Sequence, residues 1–260
     1  MKRFVLLVSF LAFSSAFAAD MPKPEFFIVH EELAKPNSLV AYEAATRDLI
    51  AAMTEKKVNV PFTNWSVFST TDMHYYFVAQ VDGFAALDKI PAGFVKARDM
   101  VGAARWDDIS RRGNETMSSY NEFVVMHRPD LSYTPANPRV AAADRRYFRW
   151  EFYYIIPGKE QEAEQVARDY IALFKQKNIG DPFNIYVALS GNDLPLWVVS
   201  IPAKSETDLV AADAQVNATV GDAIRPLQAR ALAVTRRFER REGMLRPDLS
   251  YSAPAMAAPK

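Results

Sequence analysis

Arg128-Pro129-Asp130-Leu131-Ser132-Tyr133 recurs letter for letter as Arg246-Pro247-Asp248-Leu249-Ser250-Tyr251 near the end of the 260-residue chain. Two copies of one six-letter string imply a tandem duplication, which sets the number of domains, the internal symmetry and, through the elements around it, the fold. The match runs far upstream. Pro36, Glu43, Arg47-Asp48, Ile50-Ala51, Lys56 and Pro61-Phe62 align at one constant spacing with Pro157, Glu164, Arg168-Asp169, Ile171-Ala172, Lys177 and Pro182-Phe183. Ser69, Asp72 and Val78 continue that spacing onto Ser190, Asp193 and Val199. Val101-Gly102 meets Val220-Gly221, and the hexapeptides meet each other, after only a few deletions in the second copy. Each copy is a unit of about 110 residues, a complete domain in size.

The second copy displays its elements most clearly. Residues 147–156 form an aromatic, alternating run that reads as a strand, and Pro157-Gly158 breaks it. Ala163, Val166, Ala167, Tyr170, Ile171 and Phe174 fall at spacings of three and four, the stripe of an amphipathic helix. The short apolar runs 183–189 and 196–201 are separated by Gly191-Asn192-Asp193, a hairpin signal. A second helix over 206–218, further helix towards Leu232 and a strand over 235–245 complete the unit. The first copy repeats the order, with strands over 26–33, 64–70, 74–81 and 120–128 and helices over 37–57 and 84–101. This β-α-β-β-α-β order is the split βαβ arrangement of a ferredoxin-like unit. Its helices cover one sheet face and leave the other bare, and a tandem copy supplies the bare face with a partner.

In element order and duplication the chain resembles the dimeric α/β-barrel superfamily, which includes antibiotic-biosynthesis-monooxygenase-like, EthD-like and NIPSNAP-like domains. The resemblance covers nearly all of the chain beyond its N-terminal segment and rests on no diagnostic motif. It implies an α+β fold of two tandem ferredoxin-like βαββαβ units pairing sheet to sheet as an intrachain dimeric α/β barrel. The layout is a signal peptide over 1–18, a first repeat over 24–133, a linker over 134–144, a second repeat over 145–252 and a tail over 253–260. Separate domains on a string are the competing architecture, because the linker, with two prolines and an alanine run, is long enough for either. The resemblance also implies a small organic ligand held in a cavity between the two sheets, with cofactor-free, monooxygenase-like chemistry as one outcome. A non-catalytic interaction module with a filled barrel is the alternative.

Basic Lys2-Arg3, the apolar run 4–17 and the Ala16-Phe17-Ala18 cleavage pattern read as a secretory signal. That run is too short for a comfortable bilayer span, which needs about 20 residues. The expectation is a periplasmic or secreted protein with no membrane association after cleavage. Cys 0 excludes disulfides, thiolate ligands and a cysteine nucleophile. Lys+Arg 31 against Asp+Glu 31 leaves no global field for nucleic acid. Two fused units satisfy each other, so a monomer with an internal pseudo-dimer is expected.

If the barrel closes, side chains on the bare faces line its interior. Alternation along 147–156 separates Phe148, Trp150, Phe152 and Tyr154, apolar enough to meet helices, from Arg149, Glu151 and Tyr153. The repeat carries the second parity to Ile28, His30 and Glu32. The expectation is a polar patch inside an aromatic cavity. His30, Arg149 and Glu151 are its catalytic candidates. Glu32, Tyr153 and the aligned aromatics Trp65 and Tyr186, the last two on either face, are its ligand contacts. An Arg beside carboxylates orients an anionic or carbonyl ligand, and a His titrates near neutrality. The structural alternative is an ion-pair network. First and last strands of this fold are antiparallel neighbours, so Arg149-x-Glu151 faces Arg240-x-Glu242 with complementary signs, worth about 0.2–1 kcal/mol per pair.

His30, His74 and His127 all lie in the first copy, in no metal-binding spacing, so neither a metal nor a cofactor is expected. There is no G-x-S-x-G elbow, and Gly 9 gives little support to a nucleotide loop. In the hexapeptide, proline cannot continue a central ladder, so Arg-Pro-Asp ends the last strand of each copy. Its Arg pairs with the Asp two residues on, and its Leu and Tyr anchor the tail on the neighbouring copy. The alternative places Arg128 and Arg246 at the barrel mouths as anion-binding groups.

Overall fold

A computed structural model describes residues 24–191 and 193–254. The expected signal segment, most of the C-terminal tail and Asn192 of the hairpin signal lie outside the described residues. In the first half, β1 is Phe26–Ala34, α1 Leu39–Glu55, β2 Ser66–Thr70, β3 His74–Val81, α2 Ile90–Val101, α3 Ala103–Thr116 and β4 Met117–His127. In the second half, β5 is Tyr147–Ile155, α4 Glu160–Gln176, β6 Asn184–Ala188, β7 Leu196–Ala203, α5 Glu206–Val220, α6 Arg225–Ala233 and β8 Thr235–Leu245.

The strands close into one antiparallel barrel in the order β1-β3-β2-β8-β5-β7-β6-β4. Each half contributes a four-stranded ferredoxin-like sheet. The halves join at two seams, β2 to β8 and β4 to β6. Separate domains would leave the edges of both sheets unpaired, whereas closure pairs each edge with the other copy. At the β2–β8 seam a Cβ on Gly243 would meet the Ser69 carbonyl oxygen at 2.1 Å, so only glycine lets the two backbones approach there.

Strand parity is as the sequence predicts, but the two faces point the other way. Phe148, Trp150 and Phe152 face the barrel interior with Phe27, Val29, Phe68, Tyr76, Phe123 and Val125. Arg149, Glu151 and Tyr153 face the helices, and by the same alternation so do His30 and Glu32. The reason is volume and pairing. Two sheets packed face to face leave a wide space that large aromatic side chains fill. On the helix side Arg149 and Glu151 are buried as well, and are tolerated there because each is ion-paired. Charge enters the interior near one mouth, where Arg241 Nη1 donates to Glu31 at 2.6 Å and also engages the Tyr76 hydroxyl.

The duplicated hexapeptide ties the halves together reciprocally. In the first copy Arg128 holds Asp130 through Nε at 2.8 Å and reaches Glu164 on α4 of the second half at 3.0 Å. In the second copy Arg246 holds Asp248 at 2.9 Å and reaches Glu43 on α1 of the first half. Pro129 and Pro247 each open a short 3-10 turn after the strand. Leu131 and Tyr133 then bury themselves in the second half's core, where the Tyr133 hydroxyl donates to the Ile179 carbonyl at 2.8 Å. Leu249 and Tyr251 do the same in the first half, with Tyr251 donating to the Val58 carbonyl at 2.8 Å. Both arginines are committed to carboxylates of the clasp, which is the structural account rather than the anion-binding one.

The clasp predicts an acid transition. Arg246, with Tyr75 and Arg47, lowers Glu43 from 4.5 to about 2, and Arg246 lowers Asp248 from 3.8 to about 2. A carboxylate depressed by folding stabilises the fold above its unfolded pKa and loses that contribution as pH falls through the folded one. Chemical denaturation between pH 6 and 2 should therefore show stability falling below about pH 4.5. The fall should be shallower in Glu43→Gln, and identical slopes in the two proteins would refute the assignment.

Register also corrects the alignment of the second strands. Trp65 bridges Tyr251 and Phe183 bridges Tyr133, the last residues of the two hexapeptides. Trp65 is therefore equivalent to Phe183, not Tyr186. The spacing slips because the second copy has a shorter link between α4 and β6 and a longer β6–β7 loop, so the gapless match across Val78 and Val199 does not follow the ladder.

Candidate functional site

The three second-half candidates, Arg149, Glu151 and Tyr153, do come together, but in a cleft of about 520 Å³ between the outer sheet face and helices α4–α6. Its floor is β5 and β7 with Phe238 and Arg240 of β8, and its walls are Ala167, Tyr170 and Phe174 of α4 and Ala212, Asp213 and Val216 of α5. The cleft follows from helix length. In the first half the 14-residue α3 buries Ile109 and lies along α1. Its counterpart α6 has 9 residues and buries none, so space is left above the sheet.

On the floor, the register sets Arg149 opposite Glu242 and Glu151 opposite Arg240, as the ion-pair reading anticipates. Arg149 Nε donates to Glu242 at 2.7 Å, and Nη1 and Nη2 donate to the two Asp213 oxygens at 2.9 and 2.7 Å. Burial opposes its charge, but these carboxylates outweigh burial and hold its pKa above the ordinary value. Arg149 is thus held between two carboxylates. Glu151 accepts from Arg240 at 2.7 Å and from the Tyr153 hydroxyl at 2.9 Å, using two of its roughly four acceptor positions. Burial, then Glu151, raises Tyr153 well above 10. Tyr170 is pushed up to about 12 by burial and by Glu151, so it stays a neutral hydroxyl at the cleft wall. Arg240 is half exposed and lines the cleft beside Glu151. Trp197 and Phe238 were not singled out from sequence, Tyr170 figured there only in a helix stripe and Arg240 only as an ion-pair partner. A signal existed: Tyr170 stands where the first copy has Leu49, and Arg240 where it has Glu122.

His30 and Glu32 are not part of this cleft. They occupy the corresponding positions on the first half's outer face, where His30 Nε2 lies 3.0 Å from Glu32 and Nδ1 3.5 Å from Glu122. Burial lowers the His30 pKa, but Glu32 and Glu122 outweigh it and raise it above 6.5. The Tyr42 hydroxyl donates to Glu32. The charge pattern is reversed between halves: His30 faces Glu122 in one, Glu151 faces Arg240 in the other. Trp65 packs on Tyr251 under the second tail, with ring centres 5.3 Å apart, and lines neither cavity. Tyr186 lines the barrel interior. Among the described residues no helix is long and apolar enough to cross a membrane.

Solved structures share the fold. A protein described as anthrone oxidase-like superposes with a TM-score of 0.57 at 13% identity, over 85% of this chain and 91% of its own. A candidate monooxygenase from Fusobacterium nucleatum subsp. nucleatum superposes with a TM-score of 0.51 at 11% identity, over 86% and 94%. The shared fold is the dimeric α/β barrel. No family model matches the chain. No curated protein matches it either. At these identities the likeness is one of fold alone.

Proposed function

We propose that the protein binds a small aromatic molecule carrying an oxygen group in the cleft of its second half. The observation that carries this reading is the cleft itself: about 520 Å³, mostly aromatic and aliphatic, with Tyr170 on its wall and Glu151 and Arg240 on its floor among its polar groups. Ligand sites are commonly of this size and lining. The ring would lie against Trp197, Phe238 and Tyr170, and its oxygen would meet Glu151 or Arg240. The names of the structural neighbours extend the reading to oxygenation. Glu151 would accept a proton from an activated CH2, Arg240 would face the enolate oxygen, and molecular oxygen would be the oxidant. The CH2 becomes C=O with release of one water.

Calorimetric titration with 2-naphthol tests binding. Saturable binding to the full chain, weakened at least about tenfold by filling the cleft in Ala167→Phe, is expected; a loss of that size is about 1.4 kcal/mol. No saturable binding would sink the reading. Oxygen uptake with anthrone, above the protein-free rate and lost in Glu151→Gln, would extend it to turnover, and its absence would confine the function to binding.

Export and a monomeric state belong to the same proposal. Protein from its own source should begin at Ala19 by N-terminal sequencing, and a start at Met1 would refute export. Closure of the barrel within one chain, with no free sheet edge among the described strands, supports the monomer. A dimeric mass by light scattering would oppose it.

A further inference from the structure

We propose a second ligand site, at the centre of the barrel, for an uncharged aromatic molecule of about benzene size bearing at most one hydrogen-bonding group. A cavity of about 150 Å³ lies there, walled by both copies. Val29 and Val78 of the first half face Phe148, Trp150 and Ser200 of the second across it. Phe148 and Trp150 stack with their rings 4° from parallel, and Phe68 meets both edge-on at 5.1 and 5.2 Å. These rings offer both faces and edges to an aromatic guest. The space is open rather than sealed, since Phe27, Phe68, Phe148 and Trp150 keep part of their surface free. Water needs two to four polar partners, which this lining scarcely offers, so the space favours an apolar guest of benzene size.

Ser200 refines the ligand class. Val78 stands opposite Val29, and Ser200 opposite Trp150, at matching positions of β1 and β5. The second copy therefore places a hydroxyl where the first places a methyl group, in a residue only 7% exposed. The Tyr76 hydroxyl, also on the wall, is already engaged by Glu31 and Arg241. Ser200 thus supplies the one-sided polarity that favours phenol over benzene. This site is independent of the cleft, because the two lie on opposite faces of β5 and β7: Trp150 and Ser200 point inward, Glu151 and Val199 outward.

Thermal unfolding of the full chain with benzene and with phenol tests the site. Both should raise the melting temperature saturably. Ser200→Val, which copies Val78, should keep benzene binding and weaken phenol about fivefold, the value of one hydrogen bond. Val78→Phe fills the cavity and should abolish both effects while leaving 2-naphthol binding in the cleft intact. Because that variant adds bulk to a packed interior, xenon-pressurised crystals of the unaltered protein provide a second measurement, with a xenon peak expected between Trp150 and Val78. Absence of the peak together with no stabilisation by either probe would overturn the proposal, as would stabilisation that persists in a folded Val78→Phe. A phenol-to-benzene ratio unchanged by Ser200→Val would overturn the role of Ser200.

Discussion

Arg149→Ile is expected to lower the unfolding free energy by about 3 kcal/mol, the low end of the cost of breaking a buried ion pair from one side. The Arg149 side chain is 9% exposed, and its loss strands Glu242 and Asp213. Those carboxylates are 27% and 42% exposed and rehydrate in part, which keeps the loss at the low end. For a domain of this size the melting temperature should fall by roughly 6–12 °C. The first half contains the control, because the register places Ile28 opposite Val124 where the second half has Arg149 opposite Glu242. The double variant Arg149→Ile/Glu242→Val copies that apolar pair and should recover to within about 1 kcal/mol of the parent, since replacing a whole buried pair by apolar residues is often neutral. A single variant as stable as the parent would show that the network contributes nothing.

Leu249→Ala should cost about 2–5 kcal/mol, the range for truncating a fully buried leucine. Leu249 is 0% exposed and sits in the core of the half to which it does not belong in sequence. The loss should therefore be local to the first half. Amide exchange should accelerate in α1 and β2, against which Leu249 packs, and stay slow in α4 and β6. Leu131→Ala should give the mirror image. Exchange that accelerates first in the variant's own repeat would contradict the reciprocal clasp.

Much of this architecture was readable from one sequence, for identifiable reasons. The hexapeptides and Glu43/Glu164 mark the duplication, and the same residues later form the clasp, because a contact present in both copies must be encoded twice. The Arg149–Glu242 and Glu151–Arg240 pairs followed from strand adjacency and complementary signs. The orientation of the faces did not follow. Alternation separates Phe148 from Arg149 but does not say which face meets the helices, and Arg149 is buried there only because Glu242 and Asp213 pair with it. The cleft was hidden for the same reason: Tyr170 and Phe174 read as an ordinary helix stripe until the short α6 leaves them facing space. Trp65 and Tyr186 were paired by a coincidental spacing that the shorter α4–β6 link breaks.

A crystal structure of the full chain with 2-naphthol bears most directly on the central claim, that ligand binding belongs to the second half's outer cleft. The naphthalene ring is expected between α4–α6 and β5–β7, with its hydroxyl within about 3 Å of Glu151, Tyr170 or Arg240. Naphthol ordered instead over the first half's sheet beside His30, or a crystal in which the cleft stays empty at saturating ligand, would contradict it.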